Sequence, residues 1–271
     1  MLVDQLAVLA DLVRELDAPT LRYDEESDMF GTVNGDPEFR VARFVRVMHW
    51  SAGPGSHLAN APTTPIEATA ADSIVAGCEL IDRLAEHFPS IARGPVDRSE
   101  QLRVENSRSP TSSELPAVHV DGNATVRGRV GTAPAGAQYS STRYCGTWSA
   151  WRTYLELNRG STLYPIPWHT WRIAVEDEAR IAEIDCAASW VRLLGDHPHA
   201  VGGELVPDWG SIAQDYDGVH LSFAGVLPIQ GRRFTTRHGV TAPVYWDVES
   251  TVWLRPVVTR ADLIDVDDAV D

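Results

Sequence analysis

The chain has 271 residues, of which 44% are apolar, and a formal net charge of −15. Such a chain can bury a sizeable core, and its acidity argues against a phosphate-backbone or anionic-membrane partner. All 23 basic residues are arginine, which excludes Schiff-base chemistry, pyridoxal phosphate attachment and a P-loop lysine.

In chain order, the first third reads as helical. Leu2, Leu6, Leu9, Val13 and Leu16 share one face of a first helix that ends before Pro19. Its acids, and the lack of a basic start, set it apart from a secretory signal. "GDPEFRVARFVRVMHW" opens with Asp36 as N-cap and Pro37 at the first helical position, a strand being the alternative. Thr64 and Glu67 have capping-box spacing, and Ile74, Cys78, Ile81, Ala85 and Phe88 then form a buried stripe. These stripes suit the core of a small bundle or a surface for a protein partner. Residues 92–115 are polar and lack periodicity, which predicts a linker or flexible connection.

After it, β-branched runs become frequent, and eight of the nine tryptophans lie between Trp148 and Trp253. "AVHV", "ATVRGRV", "WHTWRIAV", "ARIAEI", "DGVHLS", "APVYW" and "TVWLRPVV" are predicted strands. Short helices are expected from Trp148 to Leu157, after an Asp185 cap and after an Asp208 cap. The acidic ending "DLIDVDDAVD" reads as a frayed tail. The expected fold class is therefore α+β, with a helical N-terminal region over 1–112, its polar linker included, and an α+β domain over 113–271.

Cys78, Cys145 and Cys186 are widely separated, which points to a reducing compartment and no zinc ribbon. With no apolar run of membrane-spanning length, a cytoplasmic protein is expected. His197 and His199 lack metal-ligand spacing and suit a surface turn, so no metal is expected. His220, on an apolar strand, is either a hydrogen-bonded, half-buried histidine or a general base.

Two stretches carry chemistry: "GRVGTAPAGAQYSSTRYCGTWSAWRTYLE" (residues 128–156) and "YDGVHLS" (216–222). A Gly-Arg turn enters a loop, a Tyr-Ser-Ser strand follows, a helix bears a glutamate, and a later Asp-Gly-Val strand ends in serine. In this the chain resembles the RES-type branch of the ADP-ribosyltransferase superfamily over roughly residues 117–258. The resemblance implies an ADP-ribosyltransferase-like split β-sheet domain with short helices, and NAD as substrate. Arg129 would be the arginine of the Gly-Arg turn, and Tyr139 and Ser141 would belong to the Tyr-x-Ser strand. Glu156 would be the helix glutamate and Ser222 the late serine. Arg46, Arg127 and Arg143 compete for the first-strand arginine. Glu249 rivals Glu156, because other branches of the superfamily place a glutamate just before a late strand.

The residue types suit that chemistry. Guanidinium groups bind pyrophosphate in bidentate fashion, and aromatic faces hold nicotinamide and adenine. A carboxylate can stabilise the oxocarbenium-like state of nicotinamide–ribose cleavage. ADP-ribose would pass to a macromolecule, water or phosphate. A toxin or phage-related setting suits both this and the lysine-free composition, for which a GC-rich genome is the plainer explanation. The rival reading is a non-catalytic acidic binding module, of inhibitor or antitoxin type, for a basic protein.

Overall fold

The computed structural model describes residues 63–64, 82, 85–86, 89–106, 137–157, 159, 164–201, 204–225, 233–241 and 248–268. The expected helices before residue 63 lie outside these residues, as do the strands "AVHV", "ATVRGRV" and "APVYW". Asp82, Ala85 and Glu86 are helical, within the stripe expected there.

Strands and helices are mixed, and the strands form two mixed sheets. The larger contains β2 (Gln101–Glu105), β3 (Gln138–Cys145), β4 (Trp148–Ser149), β5 (Trp168–Val175), β6 (Ile181–Ile184), β9 (Gly218–Leu221), β12 (Ser250–Trp253) and β13 (Val258–Asp267). Its order is β13-β5-β2-β3-β12-β9-β6, with β4 folded back on β3. Neighbours along it are antiparallel except β6 and β9. The smaller sheet has the order β1-β10-β11-β8-β7, from β1 (Thr63–Thr64), β7 (Pro198–Val201), β8 (Glu204–Pro207), β10 (Arg233–Thr236) and β11 (Gly239–Thr241). Among the described residues the labelled helices are α1 (Pro89–Ala92), α2 (Ala150–Leu157), α3 (Ala187–Asp196) and α4 (Trp209–Asp215), and residues 223–225 are also helical.

Local chemistry explains the helix starts. After the β3–β4 turn at Gly146, whose φ of 45° is left-handed, Ser149 Oγ accepts from Arg152 N (3.2 Å) and caps α2. Asp208 caps α4 as expected, accepting from Ser211 N at 2.9 Å. The cap of α3 is Cys186 and not Asp185. Ser189 Oγ accepts from the amides of both residues and donates to the Asp185 carboxylate, so one hydroxyl organises the turn.

Alternation then divides the large sheet. Ile184, Val219, Leu221 and Val252 pack with Trp190, Leu193 and Leu194 of α3. Leu205 of β8 and Phe234 of β10 join the same core, so α3 ties the two sheets together. The opposite face is polar. Glu183, His220, Thr251 and Ser140 stand in one row across β6, β9, β12 and β3.

Two segments differ from the sequence reading. Gln101–Glu105, within the expected linker, is an interior strand between β3 and β5. It looked polar because one of its two buried faces is polar: Gln101 and Arg103 are 0% and 7% exposed, with Leu102 buried on the other side. The acidic ending is no frayed tail through Asp267, since β13 pairs along the length of β5.

Candidate functional site

The Tyr-Ser-Ser strand and the helix after it build an aromatic wall. Tyr139 of β3 stacks on Trp151 of α2 with centroids 5.8 Å apart, and Trp151 stacks on Tyr154 at 5.3 Å. Tyr164 meets both Trp151 and Tyr154 edge-on. This wall borders a cavity of about 400 Å³ at the end of β2 and the start of β3. Tyr139, Trp151, Tyr164 and Trp168 line one part of it, and Arg103 and Glu105 another. Burial pushes the Tyr139 phenol well up, so it stays neutral.

Arg103 and Glu105 are charged groups of this cavity that sequence reading missed. Arg103 is 7% exposed, and its Nη2 pairs with Glu105 while Nη1 has no hydrogen-bond partner among the described residues. Desolvation lowers its pKa from the ordinary arginine value, with Glu105 opposing. The signal was present in "QLRVE": Leu102 and Val104 alternate with Gln101, Arg103 and Glu105, as a strand would.

The other expected residues do not converge here. Ser141 spends its hydroxyl on the fold, accepting from Trp151 N at 2.9 Å within α2. Arg143 pairs with Glu100, as does Arg172. Arg129 lies outside the described residues, as do Arg46 and Arg127. Ser222 is 1% exposed, with its hydroxyl 3.5 Å from the Ile184 carbonyl.

Glu156 belongs to an ion-pair cluster beside the cavity. Arg152 Nη1 donates to it at 2.8 Å and Arg159 Nε at 2.6 Å, while both arginines also pair with Asp267. Both guanidinium groups lie over the Trp168 ring, at 4.6 and 4.8 Å. The hydrogen bonds from Arg159, against the effect of burial, and those from Arg152 hold the Glu156 carboxyl below the usual range.

Glu249 is fully buried, with no access to the cavity. Its carboxylate accepts from Thr142 N (3.1 Å), Thr142 Oγ1 (2.9 Å) and His220 Nε2 (3.3 Å). His220, also fully buried, bonds Glu183 through Nδ1 at 2.5 Å. Burial opposes its charge, but the hydrogen bonds and charges of Glu183 and Glu249 win and push its pKa up to about 9. The network continues from Thr142 Oγ1 to Gln101, from Gln101 to Ser140, and from Ser140 to Trp253 Nε1. It cross-links the polar face of the sheet. His220 is thus a buried, paired histidine, and neither it nor Glu249 lines the cavity.

The Asp217-Gly218 pair likewise serves the fold. Asp217 Oδ2 accepts from Arg180 N (2.8 Å) and its carbonyl from Leu254 N (2.8 Å), which joins the start of β6 to the end of β12. Gly218 lies under the Trp253 ring, where an added Cβ would stand 2.9 Å from Cε3. His197, expected in a surface turn, is 5% exposed and bonds Ser211 Oγ at 2.8 Å.

Among the described residues, no group of three or more His, Cys, Asp or Glu is placed to hold a metal ion. Among them, too, no helix is long and apolar enough to cross a membrane. Compared with known protein families, curated proteins and solved structures, the chain finds no match.

Proposed function

We propose that this protein takes NAD in the aromatic cavity and cleaves the nicotinamide–ribose bond, passing ADP-ribose to a macromolecule, water or phosphate. The observation that carries the reading is the cavity itself. It combines flat aromatic faces on Tyr139, Trp151 and Tyr164 with a buried arginine whose Nη1 is unpartnered. A nucleotide offers the complement, a flat ring next to phosphate charge. The finer fold reading, an ADP-ribosyltransferase-like split sheet, belongs to this proposal. The two mixed sheets, and the tyrosine strand followed by α2, support it.

In this reading the rings pack against the aromatic wall of Tyr139, Trp151 and Tyr164, and the pyrophosphate draws Arg103 from Glu105. Glu105, a carboxylate on the cavity wall, then faces the ribosyl cation. Glu156 orients Arg152 and Arg159 beside the site, and Glu249 holds the sheet.

The test is nicotinamide release from NAD by the parent protein, Glu105→Gln and Glu156→Gln. Glu105→Gln is expected to keep NAD affinity within a few-fold and to lower turnover by about 10²–10³, as for loss of other transition-state stabilisers. Glu156→Gln should retain most of the turnover. Equal losses in both variants would move the catalytic role away from Glu105. A parent protein that neither binds nor cleaves NAD ends the enzyme reading.

One observation favours the second reading, a non-catalytic binder of a basic protein. On β13, Leu263, Ile264 and Val266 are 42%, 38% and 46% exposed, beside Asp262 and Asp265. That reading predicts a partner whose binding is lost in Leu263→Asp and weakened by salt.

A further inference from the structure

We infer that Arg103, which lines the cavity, forms with its neighbours Trp171 and His169 an oxyanion subsite built for a phosphate group of the ligand. The inference rests on the nucleotide reading of that cavity and names the part of the ligand that the sheet face recognises. Arg103 stands directly opposite Trp171 across β2 and β5, and Glu105 directly opposite His169. The alternation of strand side chains therefore puts Arg103, Trp171 and His169 on one face as near neighbours.

All three side chains are more than nine-tenths buried, at 7%, 6% and 4% exposure. Each carries a buried nitrogen with no hydrogen-bond partner among the described residues: Arg103 Nη1, Trp171 Nε1 and His169 Nδ1. Buried polar groups are paired in folded proteins, so three orphans side by side mark a missing partner. Its chemistry follows from theirs. Guanidinium and indole nitrogens only donate, and imidazole Nδ1 donates in one tautomer. The partner is therefore an acceptor with several lone pairs, and Arg103 calls for one with negative charge.

The surrounding groups are compatible with this. On the β13 side, the residues opposite Trp171 and His169 are Leu263 and Val266, which bring no charge. Among the described residues, the one carboxylate in direct contact with the guanidinium is Glu105. It leaves Nη1 open, and Arg103 and Glu105 both line the cavity through which the anion enters.

The experiment titrates inorganic pyrophosphate into the full-length parent and into Trp171→Phe, which keeps a ring but removes the N–H donor. Indole N–H resonances are followed by NMR and affinity by calorimetry. The parent should bind saturably and shift the one indole signal that is absent from Trp171→Phe. The variant, with its folding checked by its melting temperature, should bind about 5- to 10-fold more weakly, the worth of one hydrogen bond. His169→Phe provides the second arm and should weaken binding in the same direction. No saturable binding to the folded parent overturns the subsite, as does equal affinity in both variants. Nicotinamide release is read in parallel. Pyrophosphate binding without NAD cleavage leaves the subsite standing and removes the NAD proposal. NAD cleavage with an unchanged KM in both variants does the reverse.

Discussion

Gly218 shows how a single residue can be dictated by a neighbour far away in sequence. The Trp253 ring above it is fully buried and held by a 2.7 Å hydrogen bond from Nε1 to Ser140 Oγ, so it cannot move aside without breaking that bond. Gly218→Ala should therefore destabilise the protein by about 1–3 kcal/mol through overpacking. Urea unfolding measures this, and an unchanged midpoint contradicts the packing. His220 makes a second prediction at this scale. Its folded-state pKa of about 9 lies above its ordinary 6.5. Its stabilisation is therefore fully present below about pH 6.5 and is lost as the pH rises through about 9. The melting temperature should fall across that window in the parent, and the slope should flatten in His220→Gln. An equal slope in both proteins contradicts the paired, protonated histidine.

Elements were legible where their burial is apolar. "WHTWRIAV" is β5 residue for residue and Asp208 is the expected cap, while the helix expected from Trp148 to Leu157 begins only at Ala150, Trp148 and Ser149 forming β4. Strands buried through polar residues escaped. β2 presents Gln101 and Arg103 to a hydrogen-bonded face, so hydrophobic periodicity saw only a linker. β13 is an edge strand, half exposed, whose acids do structural work: Asp267 pairs with Arg152 and Arg159 over Trp168. Deleting residues 260–271 separates a strand from a frayed tail. It uncovers the edge of β5 and leaves both arginines with Glu156 alone, so the melting temperature should drop by about 5 °C or more. A truncated protein that melts with the parent contradicts the pairing of β13.

At the scale of the whole molecule, composition bounded the class of function, and only tertiary convergence could choose the site. Tyr139 is named by the sequence and lines the cavity, whereas Trp151 joins it there only because α2 packs back on β3. Arg103 reaches that cavity from a strand 36 positions before Tyr139, and nothing in local spacing ties the two together. The glutamates show the same limit. Glu156 and Glu249 suited the expected chemistry by type and position, yet one is bound in an ion-pair cluster and the other is sealed beneath the sheet. Exposure to the cavity distinguishes Glu105 from both. The most direct test of the central claim is to incubate the purified parent protein with NAD and quantify free nicotinamide over time, with NAD affinity measured in the same preparation. The account predicts saturable binding and nicotinamide release that grows with time and protein concentration. A folded protein that shows neither would contradict it.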